Sequence, residues 1–197
     1  MGKRPQPIDR CRVSGSTHLV KVLSLGDQEL TGVFPRSKQE KITSGPLELV
    51  WCPTSGLLQL SHSYDAAEMY GDNYGYRSGL NQSMVRHLSA KTHHLERLYS
   101  PRASDVVLDI GSNDATLLKS YKTAGLRRIG IDPTAAKFKQ FYGDDIALVP
   151  DFFSAAAYRK TGAKPAKIVT SIAMFYDLER PVDFVQDVAR VLSEEPQ

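Results

Sequence analysis

Three acids and one glycine carry most of the chemistry legible in this chain. Asp109 lies in the short apolar run Val106–Ile110, and Gly111, Ser112, Asn113 and Asp114 follow at once as a polar turn. A strand that ends in such a turn and opens a helix presents backbone N–H groups to a carboxylate or phosphate. Asp132 ends a second β-branched run, Arg128–Ile131, and is followed by Pro133. A carboxylate placed there can accept from both hydroxyls of a ribose. Asp151 and Phe152 follow a third run, an acid for an adenine amine and a ring for the adenine face. Ala173 follows a fourth run and leads into Met174–Asp177, small and apolar enough to floor a pocket. A dinucleotide turn carries Gly-x-Gly-x-x-Gly, but positions 113 and 116 are Asn and Thr here. One glycine beside an acid suits the amino-acid end of S-adenosylmethionine (SAM), because Asp109 can accept from its ammonium group.

The elements that must position these residues follow from periodicity. From Ser104 onward the pattern alternates: a strand at Val106–Ile110, a helix to about Ala124, a strand at Arg128–Ile131, a helix to about Tyr142. A strand at Ile146–Val149, a short helix near Ala155, a strand at Lys167–Ile172 and a last helix with Pro181 in its first turn complete it. Such βα units predict an α/β fold with a partial Rossmann-like sheet of about four parallel strands in the order 3-2-1-4. The fourth strand is then an apolar edge, so self-association along it is expected. Upstream, Ser78 is placed to cap a helix whose Leu80, Met84, Leu88, Leu95 and Leu98 recur at near-helical spacing. Earlier still, Leu19–Leu25, Pro46–Trp51 and Leu57–Leu60 are short apolar pieces among Gly, Pro and Ser, the pattern of a small β-rich module. Three segments are expected: the module (1–63), an aromatic connector with its helix (64–103) and the partial cofactor-binding sheet (104–197).

Composition excludes several classes. Apolar residues make up 41% and charged residues 24% of the 197, an ordinary globular balance. The net charge of +3 is spread thinly, which argues against a nucleic-acid face. No apolar run is long enough for a membrane span and the start lacks a signal-peptide core, so a cytoplasmic location without membrane or nucleic-acid partners is expected. Cys11 and Cys52 are the two cysteines, too few for a disulfide-stapled secreted fold.

Taken together, Cys11–Ser16, Leu25–Leu30, Cys52–Leu60, Tyr74–Met84, Asp109–Thr116, Asp132–Thr134 and Ser171–Leu178 closely resemble the SAM-dependent C-methyltransferases that carry an amino-terminal zinc-binding domain. This mixture of motifs is similar to that of members acting on nucleotide-linked keto-deoxysugars. The resemblance spans nearly the whole chain and reaches about the first half of the family's length. It implies SAM as cofactor and a nucleotide-linked sugar as small-molecule substrate. It assigns Asp109, Gly111, Ser112 and Asn113 to the methionine end, Asp132 and Pro133 to ribose, and Asp151 and Phe152 to adenine. Ala173 becomes part of the pocket floor and Tyr76 a lid contact. In such enzymes a base removes a proton alpha to a ketone and the carbanion attacks the methyl group; the family's base lies beyond the last residue here, so this chain alone is expected not to turn over.

Besides the absent base, two departures qualify the resemblance. The family binds one zinc through two Cys-x-x-Cys turns, whereas Ser14 and Ser55 stand at the second cysteine of each. Two sulfurs, Cys11 and Cys52, leave a tetrahedral zinc site incomplete. His18 and His62 are the nearest substitutes in sequence; His87, His93 and His94 fall on the connector helix and do not replace the family's base. Ala115 stands where the family has glycine beside the cofactor, which is expected to weaken binding. Three rival readings are a non-catalytic SAM- or nucleotide-binding remnant, a nicotinamide oxidoreductase and a zinc-ribbon nucleic-acid binder. Asn113 and Thr116 disfavour the second, and scattered charge the third.

Overall fold

The computed structural model describes residues 4–30, 35–70 and 74–193. Residues 71–73 of the expected connector and the final 194–197 lie outside this description. The chain divides into two compact units, Met1–Tyr76 with Glu179–Val182, and Arg77–Leu178 with Asp183–Gln197. The stretch read as one connector, 64–103, is thus shared between them.

The first unit is antiparallel and thin. Strand β1 (Gln6–Pro7) pairs with β5 (His62–Ser63), and β2 (Val20–Glu29), β3 (Ser44–Trp51) and β4 (Leu58–Leu60) form a sheet in the order β2-β3-β4. The register of β2 on β3 shifts between Ser24 and Asp27, where Gly26 adopts φ 69°, a conformation that suits glycine. Every residue of β2 is exposed. Helix α1 (Ala66–Met69) starts where the Asp65 carboxylate accepts from the Ala67 N–H.

The second unit is a four-stranded parallel sheet in the order β8-β7-β6-β9, with β6 at Val106–Ile110, β7 at Arg127–Ile131, β8 at Ile146–Val149 and β9 at Ala166–Ser171. All five residues of β6 are buried, as a strand covered on both faces requires. Helix α2 (Gln82–Tyr99) packs Leu88, Met84 and Leu95 against one face with Val107, Leu117 and Leu118. Helix α5 (Pro181–Leu192) packs Val191, Phe184 and Val188 against the other with Leu108, Ile110 and Ile129.

Three local expectations are corrected. Asn81, not Ser78, caps α2: its Oδ1 accepts from the Ser83 N–H at 2.9 Å, and Ser78 opens a separate 3₁₀ turn, Ser78–Leu80. Leu80 and Leu98 are exposed, whereas Met84, Leu88 and Leu95 of the expected stripe pack on the core and Thr92 is buried with them. The helix after β6 covers Thr116–Lys119 (α3) rather than reaching Ala124, because Glu96 takes the N–H groups of Lys122 and Thr123 at 2.9 and 2.7 Å. After β7 the chain forms a 3₁₀ helix, Ala135–Phe141, which sets Phe138 and Phe141 one turn apart with ring centroids at 6.4 Å. The short helix α4 covers Ala155–Arg159.

Candidate functional site

Register decides which of the singled-out residues meet. Ile110 pairs with Ile131 on one side and Ser171 on the other, and Ile131 pairs with Val149. The residues following all four strands therefore emerge at the same carboxyl edge, where open α/β sheets take their ligands. Backbone bonds continue the alignment past the strands, from the Gly111 N–H to the Ile131 carbonyl at 2.9 Å and from the Asp132 N–H to the Val149 carbonyl at 3.1 Å. Gly111 adopts φ 72°, and a Cβ there would meet the Met174 side chain at 3.4 Å. The first turn and the segment after β9 thus approach closely, and Ala173 itself turns with φ 56°.

The turn 111–115 is held from several sides. Ser112 is buried, and its hydroxyl meets the Tyr142 hydroxyl at 2.8 Å in space that a Cβ on Gly130 would occupy. Tyr142 also donates to the Asn113 carbonyl at 2.9 Å. The Asn113 side chain accepts from the Ser78 N–H, and the Asp114 carboxylate from the Gly79 N–H, both at 2.9 Å. Residues 77–79 therefore form a strap tied to this turn. The other oxygen of Asp114 accepts from the Thr116 N–H and hydroxyl. Arg77 stands 3.7 Å from Asp114 and 4.2 Å over the Phe141 ring, with a buried Nε that has no hydrogen-bond acceptor.

Asp132 binds the same turn. One oxygen accepts from the Asn113 N–H at 2.7 Å, and the other from the Thr134 N–H and hydroxyl at 2.6 and 2.7 Å. A carboxylate has about four acceptor positions, so these three bonds leave capacity for one ligand donor. Pro133 is half-buried beside it. Asp109 is buried in β6 and accepts from the Thr170 hydroxyl at 2.6 Å. Burial raises its carboxyl to about 7; the Thr170 bond opposes the shift and the charge of Asp132 adds to it. Three carboxylates, Asp109, Asp114 and Asp132, thus surround one glycine turn.

At the rim, Asp151 accepts from the Phe152 N–H at 2.7 Å and both residues are exposed. Phe175 and Tyr176, after β9, are exposed as well. Tyr76, expected as a lid contact, belongs to the first unit, whereas the other nine cofactor candidates belong to the second. The sequence gives no site role to Arg77, Asp114, Thr134, Tyr142 or Thr170. The pairs Asp114/Thr116 and Asp132/Thr134 carried a usable signal, because Asp-x-Thr favours a turn closed by the acid on the residue two ahead.

The first unit holds a second cluster. Cys11 Sγ and Ser55 Oγ lie 3.3 Å apart, and Ser14 Oγ and Cys52 Sγ 3.4 Å apart, so the two turns meet. Both cysteines are buried, at 2% and 0% exposure. Burial resists ionisation of Cys11, but hydrogen bonds from Ser14, Ser55 and nearby amides outweigh it; the same hydroxyls lower Cys52. Neutral hydroxyls are poor zinc ligands beside thiolates, and two sulfurs do not complete a structural zinc set. The donor set does not fit zinc. Among the described residues no group of three or more His, Cys, Asp or Glu is placed to hold a metal, so His18 and His62 do not supply the missing ligands. Among the described residues no helix is long and apolar enough to cross a membrane.

Comparison with known proteins bears on both clusters. Residues 11–70 match the methyltransferase-linked family model described as "Putative zinc binding domain". Over 130 residues the chain is 28% identical to the C-methyltransferase NovU of Streptomyces niveus, an overlap of 65% of this chain and 31% of that protein. The chain thus spans about a third of the curated relative it matches. A solved structure of precorrin 8W decarboxylase from Methanobacterium thermoautotrophicum overlaps 52% of this chain and 54% of its own, at 18% identity and a TM-score of 0.37. That overlap is too loose to carry function. The chain is therefore similar to a C-methyltransferase over its matched part, and its first unit contains the stretch that matches the putative zinc-binding family model.

Proposed function

We propose that the second unit binds SAM and that the chain serves a SAM-dependent C-methyltransferase acting on a nucleotide-linked keto-deoxysugar. The observation that carries this reading is the set of three buried carboxylates around the turn that opens at Gly111. A concentration of negative charge favours a ligand that brings positive charge, and SAM brings an ammonium and a sulfonium. Bound SAM supplies the electrophilic methyl group. Asp109 accepts from the ammonium. Arg77 adds a cation for the methionine carboxylate. Asp132, with one acceptor position to spare, takes the ribose beside Pro133. Asp151 and Phe152 meet adenine, and Ala173 floors the pocket. The C-methyltransferase similarity supports the reaction class, and the motif resemblance supports the sugar.

Calorimetric titration with SAM tests the reading. Asp132→Asn removes the charge and sets an amide NH2 against one of the N–H groups that the carboxylate holds, so affinity falls by at least roughly 1.5–3 kcal/mol, the scale of a charge-assisted hydrogen bond. Unchanged affinity removes Asp132 from the site. Arg77→Ala should weaken SAM while leaving 5′-methylthioadenosine, which lacks the amino-acid end, unaffected. SAM binding without methyl transfer to a keto-deoxysugar nucleotide would favour the non-catalytic binding module. We further infer that β9, paired on one side only among the described residues, associates with a second copy. Sedimentation should then show species larger than the single chain.

A further inference from the structure

We propose that the first unit closes on a metal-free knot of two thiols and two hydroxyls, in which Cys11, Ser14, Cys52 and Ser55 do by hydrogen bonding what a bound zinc would do by coordination. The two turns are copies of one another in sequence, Cys11-x-x-Ser14-Gly15 and Cys52-x-x-Ser55-Gly56. They are copies in geometry too. In each, the glycine N–H returns to the cysteine carbonyl, at 2.9 and 2.8 Å, and the glycine adopts φ 70° or 73°. The turns then bond crosswise, Cys11 to Ser55 and Ser14 to Cys52. Residues 44 and 38 positions apart are joined in this way, so the knot ties the start of the unit to the hairpin between β3 and β4.

Two observations set this arrangement against zinc. A closed structural site needs four strong ligands, and two of the positions offer neutral hydroxyls. Those hydroxyls are already engaged: Ser14 Oγ accepts from the Ser16 N–H and Ser55 Oγ from the Leu57 N–H, both at 3.3 Å. The knot also lies where the unit buries apolar side chains, since Cys11, Val50 and Cys52 are the buried apolar side chains described between residues 4 and 70. Both sulfurs are buried and each meets a serine hydroxyl of the opposite turn, so the cluster packs and hydrogen-bonds at once.

The test uses the full chain, its metal content measured after gel filtration and its unfolding followed by fluorescence of Trp51, the single tryptophan, next to Cys52. The expected result is well under one zinc per chain and a Trp51 midpoint unmoved by a strong chelator. Close to one zinc per chain, or a midpoint lowered by chelation, overturns the proposal. Ser14→Cys with Ser55→Cys should convert the knot into a zinc site, giving one metal per chain, a tetrahedral thiolate spectrum with cobalt and a chelator-sensitive midpoint. Folded variant protein that takes up no metal would show that the four positions do not converge. Should that variant fail to fold, Ser14→Ala and Ser55→Ala decide: each should lower the Trp51 midpoint by several degrees, and no shift from either overturns the role given to the hydroxyls.

Discussion

The two units of this chain are stabilised in opposite ways. In the second, β6 is buried along its length between two apolar clusters, one led by Leu88, Val107 and Leu118 and the other by Leu108, Ile110 and Ile129. In the first, β2 is exposed throughout, and burial is concentrated at Cys11, Val50 and Cys52. Where a sheet is covered on both faces, many dispersed contacts share the load and polar residues are released for binding at the strand ends. Where it is not, a few polar atoms at closing turns must hold the unit, and these cannot also serve a ligand. The proposed SAM site accordingly lies in the unit with the larger core.

The largest expected effect breaks that comparison most directly. Leu108→Ala opens a cavity at a position 1% exposed and should cost about 2–5 kcal/mol. The helical signal in circular dichroism reports the second unit, which contains the 18-residue α2, while Trp51 reports the first. The substitution should lower the helical midpoint and leave the Trp51 midpoint in place. A parallel fall of both would mean that the units unfold as one and that the contrast between them has no energetic meaning.

A smaller effect concerns pH. An unfolded aspartate titrates near 3.9, whereas burial holds the Asp109 carboxyl at about 7. Between those values the folded state carries a proton that the unfolded state lacks. Stability therefore falls as pH rises from about 4 to about 7, by at most roughly 1.4 kcal/mol per pH unit, and levels off above. Asp109→Asn should flatten the profile, gaining midpoint at about pH 8 and little at about pH 4. If Asp109 receives the ligand's ammonium, binding near neutral pH also releases a proton. Calorimetry in buffers of different ionisation enthalpy would detect it. An unchanged slope in Asp109→Asn would assign the pH dependence to another group.

The parts legible in the sequence were those fixed by local pattern. Val106–Ile110 reads as a strand because five consecutive residues enter a two-sided core, and the three other parallel strands fall within a residue of where their β-branched runs begin or end. The Gly111 turn was legible because its glycine does need positive φ. What could not be read depends on side chains from distant positions capturing backbone groups. Glu96 stops α3 by taking two N–H groups 26 and 27 residues away. The strap at Ser78 and Gly79 exists because Asn113 and Asp114, 35 residues on, accept from it. Neither pairing has a spacing rule. The short reach of Asp132 onto Thr134 does, and belonged among the readable features.

The smallest effect lies where the two modes of stabilisation meet. Ala115 belongs to the glycine turn, yet its methyl is fully buried in the cluster with Leu88, Leu117 and Leu118. Its φ of 61° costs an L-residue about 1 kcal/mol relative to glycine. Removing the methyl forfeits roughly 0.8 kcal/mol of burial, with a small cavity term in addition. In Ala115→Gly these terms nearly cancel, so the helical midpoint should move by no more than a few degrees. Strain present with and without ligand does not alter affinity. A gain in SAM binding therefore requires that the turn tighten around the ligand, and the gain should stay below about tenfold, or roughly 1.4 kcal/mol. Titration of the variant beside the parent chain checks this. A loss of stability well beyond 1 kcal/mol would show that the turn depends on core packing like the rest of the second unit. A clear gain in stability with unchanged affinity would show instead that backbone strain dominates and that the ligand does not press on this position.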